Sequence, residues 1–554
     1  MEKVWLKSYP KGVSHEINPD AYQSINEIFE VSFKKFSTRP AFSNMGSILT
    51  YSDLDRMSAD FASFLQNDLE LKHGDSVAIM SPNILQYPVC LYGILRAGLT
   101  VVNINPLYTA RELEHQLKDS EAKAIIIVEN FCRILQQVLP TTQVRHVITT
   151  GLGDLLKFPK SHIVNFVVKH VKKMVPAWEI SNAIPFKEAL TKGSTKKLKS
   201  PNIHPGDIAF LQYTGGTTGV SKGAMLTHKN IVANILQARE WIKSRIKEGD
   251  EIIITPLPLY HVFSLTANCF IYGSIGAENV LITNPRDIPA FVKELSKKKF
   301  TTLTGVNTLF NALVNNSEFQ KLDFSSFRLA LGGAMAVQRP IAEKWKKITG
   351  VALVEAYGLT ETSPAACINP LDIPDYNGTI GLPISSTEVS IRDDGGNECP
   401  LGIAGEIWIR GPQVMKGYWK KPEETTNVLT QDGWLKTGDV GIMDENGYIK
   451  IVDRKKDMIL VSGFNVYPNE IEEVIAKYEK VLEVAAIGVP DEKSGETVKV
   501  FIVKKDSSLT PAEILDHCRK NLTAYKVPKV VEFRSTLPKS NVGKILRREL
   551  KAQV

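Results

Sequence analysis

The feature that most restricts the fold is the alternation of short apolar runs with helical patterns between residues 50 and 131. Apolar runs of three to five residues are typical of buried strands, whereas apolar residues spaced three or four apart are typical of helices. Strands separated by helices predict a mostly parallel, doubly wound sheet, which binds ligands at the carboxyl ends of its strands. The predicted strands lie at 77–79, 101–102 and 124–128, and the predicted helices at 54–65, 84–95 and 111–117.

The chain has 554 residues, which is too long for one ordinary hydrophobic core. A large α/β portion is therefore expected to be followed by at least one further domain. After a polar stretch at 453–456, the tail alternates predicted strands with helices at 469–478 and 511–522. The sequence thus predicts an α/β protein in which a large N-terminal domain with doubly wound sheets precedes a small α+β C-terminal domain.

A loop rich in glycine and hydroxyl side chains runs from Tyr213 to Gly223, between two apolar runs. Glycines allow successive backbone N–H groups to converge on an anion, and a lysine adds a point charge suited to a polyphosphate. A Walker loop is excluded because Lys222 is followed by Gly223 rather than by Ser or Thr at the start of a helix. The alternative of a flexible surface turn is less favoured. The predicted phosphate-binding residues are Tyr213, Thr214, Gly215, Gly216, Thr217, Thr218, Gly219, Ser221 and Lys222.

This loop resembles the signature of the adenylate-forming superfamily, which includes acyl-CoA synthetases, amino-acid adenylation domains and beetle luciferases. The resemblance continues in matching order to Arg548, and the segment 432–460 is similar to the signature of fatty acyl-CoA synthetases. It implies ligation of a fatty acid to CoA in two steps, with ATP, CoA and the fatty acid as substrates and Mg²⁺ bound with ATP. In this scheme Lys222, Glu361 and Lys544 are the catalytic residues.

The resemblance also assigns the nucleotide site. Small residues let a flat ring approach the backbone, an ionised carboxylate accepts from two ribose hydroxyls, and Glu361 supplies a hard oxygen ligand for magnesium. A Thr-Glu pair alone is more typical of a helix cap. The implied ATP and AMP contacts outside the loop are Gly332, Gly333, Ala334, Tyr357, Gly358, Thr360, Asp439 and Arg454.

The resemblance also gives roles to three further positions and specifies the role of Lys544. His261 lies between the acyl tunnel and the reacting carboxylate, although a histidine among apolar residues is more often a hydrogen-bonded core residue. Gly463 lines the pantetheine passage, and Lys544 contacts carboxylate and α-phosphate oxygens during transfer. Lys456 is the pivot of a hinge at 454–456, which divides an adenylation domain (1–453) from a mobile C-terminal domain (457–554).

Other functions remain open from the sequence. A ligase for medium-chain or aryl acids would share the same motifs. A non-catalytic fatty-acid carrier at a membrane would need none of Lys222, Glu361, Asp439 and Lys544, so their presence together favours an enzyme. An amino-acid adenylation domain is disfavoured because no carrier-protein serine motif follows, and a plain ATPase is a remote alternative.

The composition indicates a soluble or peripherally attached cytoplasmic protein. The net charge is +7 and charged residues make up 23%, without a recognisable nucleic-acid-binding signature. The six cysteines are scattered with no Cys-x-x-Cys pair, which favours reduced thiols. The first residues lack the apolar core of a signal peptide. A homodimer is neither favoured nor excluded.

One segment, 157–200, is strongly basic. Within it, apolar residues and one histidine fall on a single helical stripe. Such a helix either lies on an anionic membrane surface or packs its apolar stripe against the core and leaves its lysines in solvent. The sequence does not choose between these alternatives. The stripe consists of Ile163, Phe166, Val167, His170, Val171 and Met174.

Overall fold

A computed structural model describes residues 2–214, 221–462, 464–491, 493–540 and 543–553. Within them, four sheets are present: seven-stranded, nine-stranded, four-stranded and five-stranded. The mixed α/β class predicted from the sequence is confirmed.

The seven-stranded sheet contains the strands predicted between residues 50 and 131. Its strands run parallel up to the last pair, where the strand after the phosphate loop returns antiparallel, with Thr214 opposite Lys222. The loop therefore leaves the carboxyl end of a strand, as the doubly wound sheet requires. In spatial order the strands are Ile184–Pro185, His146–Thr150, Ala124–Val128, Ser76–Met80, Thr100–Ile104, Ile208–Thr214 and Lys222–Thr227.

The nine-stranded sheet is parallel in its centre and antiparallel at both ends. Three of its central strands end in sequences that the motif analysis assigned to the nucleotide site or its surroundings. Its spatial order is Leu382–Pro383, Ala365–Ile368, Leu353–Gly358, Leu329–Gly332, Thr302–Gly305, Ile252–Thr255, Glu278–Leu281, Pro40–Asn44 and Ser47–Thr50.

An antiparallel four-stranded sheet and a mixed five-stranded sheet complete the sheet structure. The four-stranded sheet runs Glu388–Arg392, Gly405–Arg410, Leu435–Met443 and Ile449–Arg454, with the turn at 444–447 joining its last two strands. The five-stranded sheet belongs to the C-terminal region, where Val530–Arg534 pairs in parallel with Gly495–Lys504. Its other strands are Phe464–Val466, Ile459–Val461 and Val481–Asp491.

The α-helices cover the faces of these sheets. Two segments are π-helical, Val167–Val171 and Leu265–Tyr272. The α-helices of the described residues are Ile25–Lys35, Tyr51–Asn67, Gln86–Arg96, Ala110–Asp119, Cys132–Val138, Lys160–Phe166, Phe186–Ser194, His228–Ile242, Val262–Ser264, Ile288–Leu295, Asn307–Val314, Arg339–Thr349, Pro422–Val428, Pro468–Ala476, Pro511–Asn521 and Arg547–Lys551.

The cores explain why the central strands read as continuous apolar runs. In the strand Ser76–Met80, Val77 and Ile79 face the largest core, which also holds helices of the N-terminal region and residues of the nine-stranded sheet. Ala78 and Met80 face a second core on the opposite side. A strand buried on both faces has no polar side, so alternation is lost. The C-terminal region has its own core around Ile471 and Ile502.

The basic segment is helical, but its stripe does not face the core. Ile163, Phe166, Val171 and Met174 are 56%, 59%, 64% and 51% exposed. Val164 packs against the main core instead. The core-facing interpretation of the stripe is therefore wrong, because the buried side of this helix is narrow and lies on the opposite face.

All six cysteines are free thiols. None of the helices in the described part of the chain has the length and apolar character needed to span a bilayer.

Candidate active site

A large cleft of about 1950 Å³ lies where the sheets and the C-terminal region meet. It opens at the carboxyl ends of three parallel strands of the nine-stranded sheet, and strands of the four-stranded sheet line another wall. Most site residues predicted from separate parts of the sequence line this one cleft: Tyr213, Thr214, Lys222, His261, Gly333, Ala334, Tyr357, Gly358, Thr360, Glu361, Asp439, Arg454, Lys456 and Lys544.

The phosphate side of the cleft is built on the two strands that flank the phosphate loop. Gly215, Gly216, Thr217, Thr218 and Gly219 lie outside the described residues, as does Gly463. Tyr213 is almost fully buried, and its hydroxyl donates to Asp119 at 2.7 Å. That bond anchors the end of the strand Ile208–Thr214, from which the phosphate loop leaves.

Lys222 has two close neighbours from one short segment. Its ammonium forms an ion pair with Glu424 and lies 5.2 Å from the ring centroid of Tyr418. The same Tyr418 donates its hydroxyl to Glu361 Oε1 at 2.6 Å. Tyr418 thus contacts both Lys222, which is predicted to bind phosphate, and Glu361, which is predicted to bind the metal.

Glu361 and Thr360 sit in a single 3₁₀ turn, Thr360–Thr362, directly after the strand that ends at Gly358. The backbone carbonyl of Glu361 accepts from Met415 N at 2.8 Å. This bond holds the turn against the segment that carries Tyr418. Leu359, and not Thr360 or Glu361, precedes the turn, so this pair does not cap a helix. Both Thr360 and Glu361 line the cleft.

The wall predicted to contact adenine, called the adenine wall below, is formed by the loop after strand Leu329–Gly332. Ala334 has a φ of 63°, a conformation that suits glycine better than alanine. Gly358 admits no side chain, because a Cβ there would lie 1.8 Å from the carbonyl oxygen of Pro364. Gly332 is buried in the strand, where a Cβ would meet Leu353 at 2.8 Å, so its small size serves packing.

Glu355 and Tyr376 hold the adenine wall in place. Glu355 accepts from Val337 N at 2.8 Å, and Tyr376 donates to the Val337 carbonyl at 2.5 Å. Burial raises the pKa of Glu355 to about 7. The backbone N–H and carbonyl groups of Val337 are therefore both hydrogen-bonded, one to Glu355 and the other to Tyr376. These bonds limit movement of the adenine wall.

The ribose side is a pair on adjacent antiparallel strands. Asp439 lies opposite Arg454 in register, and Arg454 Nε is 3.3 Å from Asp439 Oδ1. Tyr357 donates to the other carboxylate oxygen at 2.7 Å. Asp439 is only 5% exposed, so these two donors compensate for the burial of its charge.

Lys544 reaches the cleft from the C-terminal region. It lies in a tight turn in which Ser540 N donates to its carbonyl at 2.7 Å. The preceding Gly543 contacts Thr308 of the large domain, where the hydroxyl donates to the Gly543 carbonyl at 3.5 Å. Burial first, and then the charge of Arg454, lowers the pKa of Lys544 to about 8.

His261 faces the same region. Burial first, and then the charge of Lys544, lowers the pKa of His261 to about 4, so its ring is neutral at physiological pH. Its Nδ1 accepts from Phe263 N at 3.3 Å. The side chain therefore caps a short helix and also lines the cleft.

A buried ion cluster joins the two parts of the chain next to the residue range predicted as the hinge. Asp453, with no exposed side-chain area, lies 3.4 Å from Arg547, which also pairs with Glu472 at 2.8 Å. Asp453 also accepts from Asn469 N at 2.8 Å. These contacts hold the C-terminal region in the arrangement that places Lys544 in the cleft.

The motif analysis missed several residues of this site. Glu424 and Tyr418 lie in a stretch without a phosphate or metal signature, and Glu355 reads as part of a strand. Arg547 sits among basic residues that look solvated. Each becomes recognisable only through its partner, which is distant in sequence, so single-sequence patterns carry no signal for them.

The architecture and the cleft define a nucleotide-binding α/β enzyme whose C-terminal domain contributes a lysine to the site. Two sequence profiles match the chain: the AMP-binding enzyme profile over residues 29–419 and the AMP-binding enzyme C-terminal domain profile over residues 470–544. The chain belongs to the AMP-binding enzyme family, and the resemblance inferred from the motifs is confirmed.

Curated relatives match over their full lengths. A long-chain-fatty-acid–CoA ligase of Yersinia pestis is 58% identical over 551 residues, covering 100% of this chain and 98% of that protein. A Bacillus subtilis protein of the same name is 40% identical over 553 residues, covering 99% and 98%.

Solved structures share the fold. The anthranilate CoA ligase AuaEII in complex with anthranoyl-AMP superposes with a TM-score of 0.86 at 26% identity, covering 97% of this chain and 99% of that one. ATP-bound MatB from Rhodopseudomonas palustris gives a TM-score of 0.79 at 27% identity, covering 96% and 99%.

Proposed function

We propose that this protein is a long-chain fatty acid–CoA ligase. The observation that carries the proposal is that Lys222, Glu361, Asp439 and Lys544 line one cleft although they come from four separate parts of the chain. A carrier protein needs none of these groups. The full-length relatives named long-chain-fatty-acid–CoA ligase support the choice of substrate.

The reaction has two steps. In the first, a carboxylate oxygen of the fatty acid attacks the α-phosphorus of ATP, the bond to the β-phosphate oxygen breaks, and pyrophosphate leaves. In the second, the CoA thiol loses its proton and attacks the acyl carbon, and AMP leaves with its phosphate oxygen. A carboxylate is already a competent nucleophile, so catalysis depends on positioning and on charge stabilisation.

Each side chain has a distinct task in this scheme. Lys222 and the phosphate loop hold the leaving pyrophosphate, while Asp439 and Arg454 fix the ribose. Lys544, as an ammonium, stabilises negative charge on the carboxylate and α-phosphate oxygens during transfer. The neutral ring of His261 places no additional cation beside Lys544.

The residues fit a magnesium ion bound together with ATP. Glu361 offers a carboxylate in the cleft, and the described residues contain no group of three or more His, Cys, Asp or Glu side chains able to hold a metal alone. Magnesium is commonly bound by one or two carboxylates together with substrate phosphates, which matches this donor set. When bound, Mg²⁺ neutralises charge on the pyrophosphate.

The acyl chain would occupy the apolar part of the cleft. Apolar side chains from the helix His228–Ile242 and the π-helix Leu265–Tyr272 line it, namely Ala238, Ile242, Ala267 and Ile271. Burying each CH₂ group contributes about 0.8 kcal/mol, so longer acids should bind more tightly until the apolar space is filled.

The first experiment measures pyrophosphate release from ATP and Mg²⁺ with acids of graded chain length, each with and without CoA. Turnover that requires CoA and a long-chain acid is the expected result. Activity confined to aryl or short acids would retain the mechanism and overturn the substrate. Folded protein that binds fatty acid without any turnover would instead support the carrier.

We also propose that residues 454–456 form a hinge between an adenylation domain at 1–453 and a mobile domain at 457–554. Lys544 lies in the cleft in this arrangement, so rotation about Lys456 would withdraw it and bring another face of the small domain to the acyl-adenylate. Lys456→Pro should therefore reduce thioester formation more than adenylation. Equal losses in the two half-reactions would contradict the hinge.

Finally, we propose that residues 160–174 contact an anionic membrane surface. This segment contains the helix Lys160–Phe166 and the π-helix Val167–Val171. Four apolar side chains of this segment are more than half exposed, and Phe158 beside it is 82% exposed. Exposed lysines surround them at 157, 160, 169, 172 and 173. An apolar face flanked by lysines matches the chemistry of an anionic lipid headgroup layer.

Vesicle sedimentation tests this surface. Replacing Lys169, Lys172 and Lys173 by Glu should release the protein from anionic vesicles, since each lysine near such a surface contributes about 1 kcal/mol. The control variant replaces Lys187, Lys197 and Lys199 by Glu, which changes net charge equally at exposed positions elsewhere in the basic segment. Unchanged sedimentation of the first variant, or equal release of both, would rule out this surface.

A further inference from the structure

The helix Pro422–Val428 places a carboxylate against the lysine assigned to pyrophosphate. Glu424 Oε2 pairs with Lys222 Nζ, and the ring centroid of Tyr418 lies 5.2 Å from that ammonium. The helix is tied to the segment that carries Tyr418, because Tyr418 N donates to Thr425 Oγ1 at 2.9 Å and Thr425 follows Glu424 directly. The position of Glu424 is therefore set by the fold and not by a free surface side chain.

Glu424 and pyrophosphate would compete for the same cation. Lys222 presents one ammonium with three donors, and a point charge of this kind suits a polyphosphate tail. The side chains of Lys222 and Glu424 are 31% and 45% exposed. A partly exposed ion pair of this kind is weak, so an incoming triphosphate can displace the carboxylate. The displaced carboxylate remains close to the phosphates and repels them.

We propose that Glu424 is an internal competitor for Lys222 that keeps the lysine in position in the empty site and weakens the hold on pyrophosphate after adenylation. The inference rests on the proposed function for the identity of the leaving group. It makes Glu424 a positioning residue, since it acts on the phosphate through Lys222. Release of pyrophosphate then coincides with re-formation of the Lys222–Glu424 pair.

The measurable consequence is tighter binding of pyrophosphate when the competitor is removed. Glu424→Gln keeps the size of the side chain but removes its charge, so Lys222 is free for phosphate. We expect the dissociation constant of magnesium pyrophosphate to fall about fivefold, which corresponds to about 1 kcal/mol. Product inhibition by pyrophosphate should become stronger by the same factor, and Glu424→Asp should restore part of the wild-type value.

The experiment titrates magnesium pyrophosphate into the full-length protein by calorimetry and repeats the measurement as product inhibition. Glu423→Gln is the matched control, because Glu423 is an exposed carboxylate on the same helix that is not among the cleft-lining residues. Tighter binding for Glu424→Gln alone supports the proposal. Unchanged or weaker binding, or an equal shift in both variants, overturns it. Weaker binding would indicate that Glu424 helps to hold the metal.

The calorimetric result does not depend on turnover, which separates this proposal from the proposed function. A protein that forms no acyl-CoA but shows the Glu424 shift would overturn the ligase assignment and leave the competition intact. A protein that forms acyl-CoA but shows no Glu424 shift would support the ligase assignment and overturn the competition between Glu424 and pyrophosphate.

Discussion

Replacing Lys544 by Ala should nearly abolish formation of the acyl-adenylate while ATP still binds. The ammonium is held in the cleft by its own turn and by the contact of Gly543 with Thr308. A single charged donor aimed at a transferring centre is worth about 3 kcal/mol or more, so the rate should fall a hundredfold or more. In the proposed site, ATP is held by Lys222, Asp439 and the loop after Gly332, and this change alters none of them.

The pH dependence gives a second, independent prediction for the same residue. The pKa of Lys544 is lowered to about 8, so most molecules carry the required ammonium below pH 8 and lose its proton above that pH. The kcat/KM for adenylation should be flat below this pKa and fall tenfold per pH unit above it. Because the pKa in the unfolded chain is 10.5, the folded state binds fewer protons between these values. Stability attributable to this group should therefore rise with pH from about 8 toward 10.5.

The assay is ATP–pyrophosphate exchange without CoA, with ATP binding followed by calorimetry. Lys544→Arg retains a charge that does not titrate in this range, so its alkaline limb should disappear whatever its absolute rate. Lys520→Ala is the control, since Lys520 is an exposed lysine of the same domain. Wild-type exchange by Lys544→Ala, or an unchanged alkaline limb in Lys544→Arg, would contradict the role assigned to the Lys544 ammonium.

Three further changes follow from contacts in the structure. Tyr357→Phe removes the 2.7 Å hydrogen bond to buried Asp439, and a bond to a charged group is worth about 1.5–3 kcal/mol, so calorimetry should show at least tenfold weaker ATP binding. Arg547→Met leaves Asp453 buried without its cation, which should cost about 3–5 kcal/mol of stability in urea unfolding; an unchanged midpoint would contradict this. Ala334→Gly relieves the positive φ of 63° and should raise the free energy of unfolding by about 0.5–1 kcal/mol, whereas a lower value would show that the strain is absent.

Local sequence predicted much of the large domain. The runs at 77–79 and 124–128 became the strands Ser76–Met80 and Ala124–Val128, and the helix expected at 54–65 became Tyr51–Asn67. These elements were readable because apolar periodicity, caps and turn residues all act within a few residues of each other. The short strand Phe464–Val466 was missed, since three residues carry too little pattern.

The motifs likewise predicted which residue types would contact ATP, because phosphate, ribose and adenine each require particular chemistry at short spacing. What they do not contain is the set of partners that only folding brings together. Glu424 beside Lys222, Arg547 beside Asp453 and Tyr418 beside Glu361 are separated by 202, 94 and 57 residues. Their contacts depend on the packing of whole sheets and domains.

The basic helix shows the same division. Its amphipathic stripe was evident from spacing alone, but whether that stripe faced the core or solvent was not. Periodicity reports that two faces differ, and only the surrounding elements decide which face is covered. The fold class could thus be predicted from the sequence, and the motifs predicted the residue types of the site. Burial, pKa shifts and the pairing of charges could be read only from the tertiary structure, because they depend on distances between residues far apart in the chain.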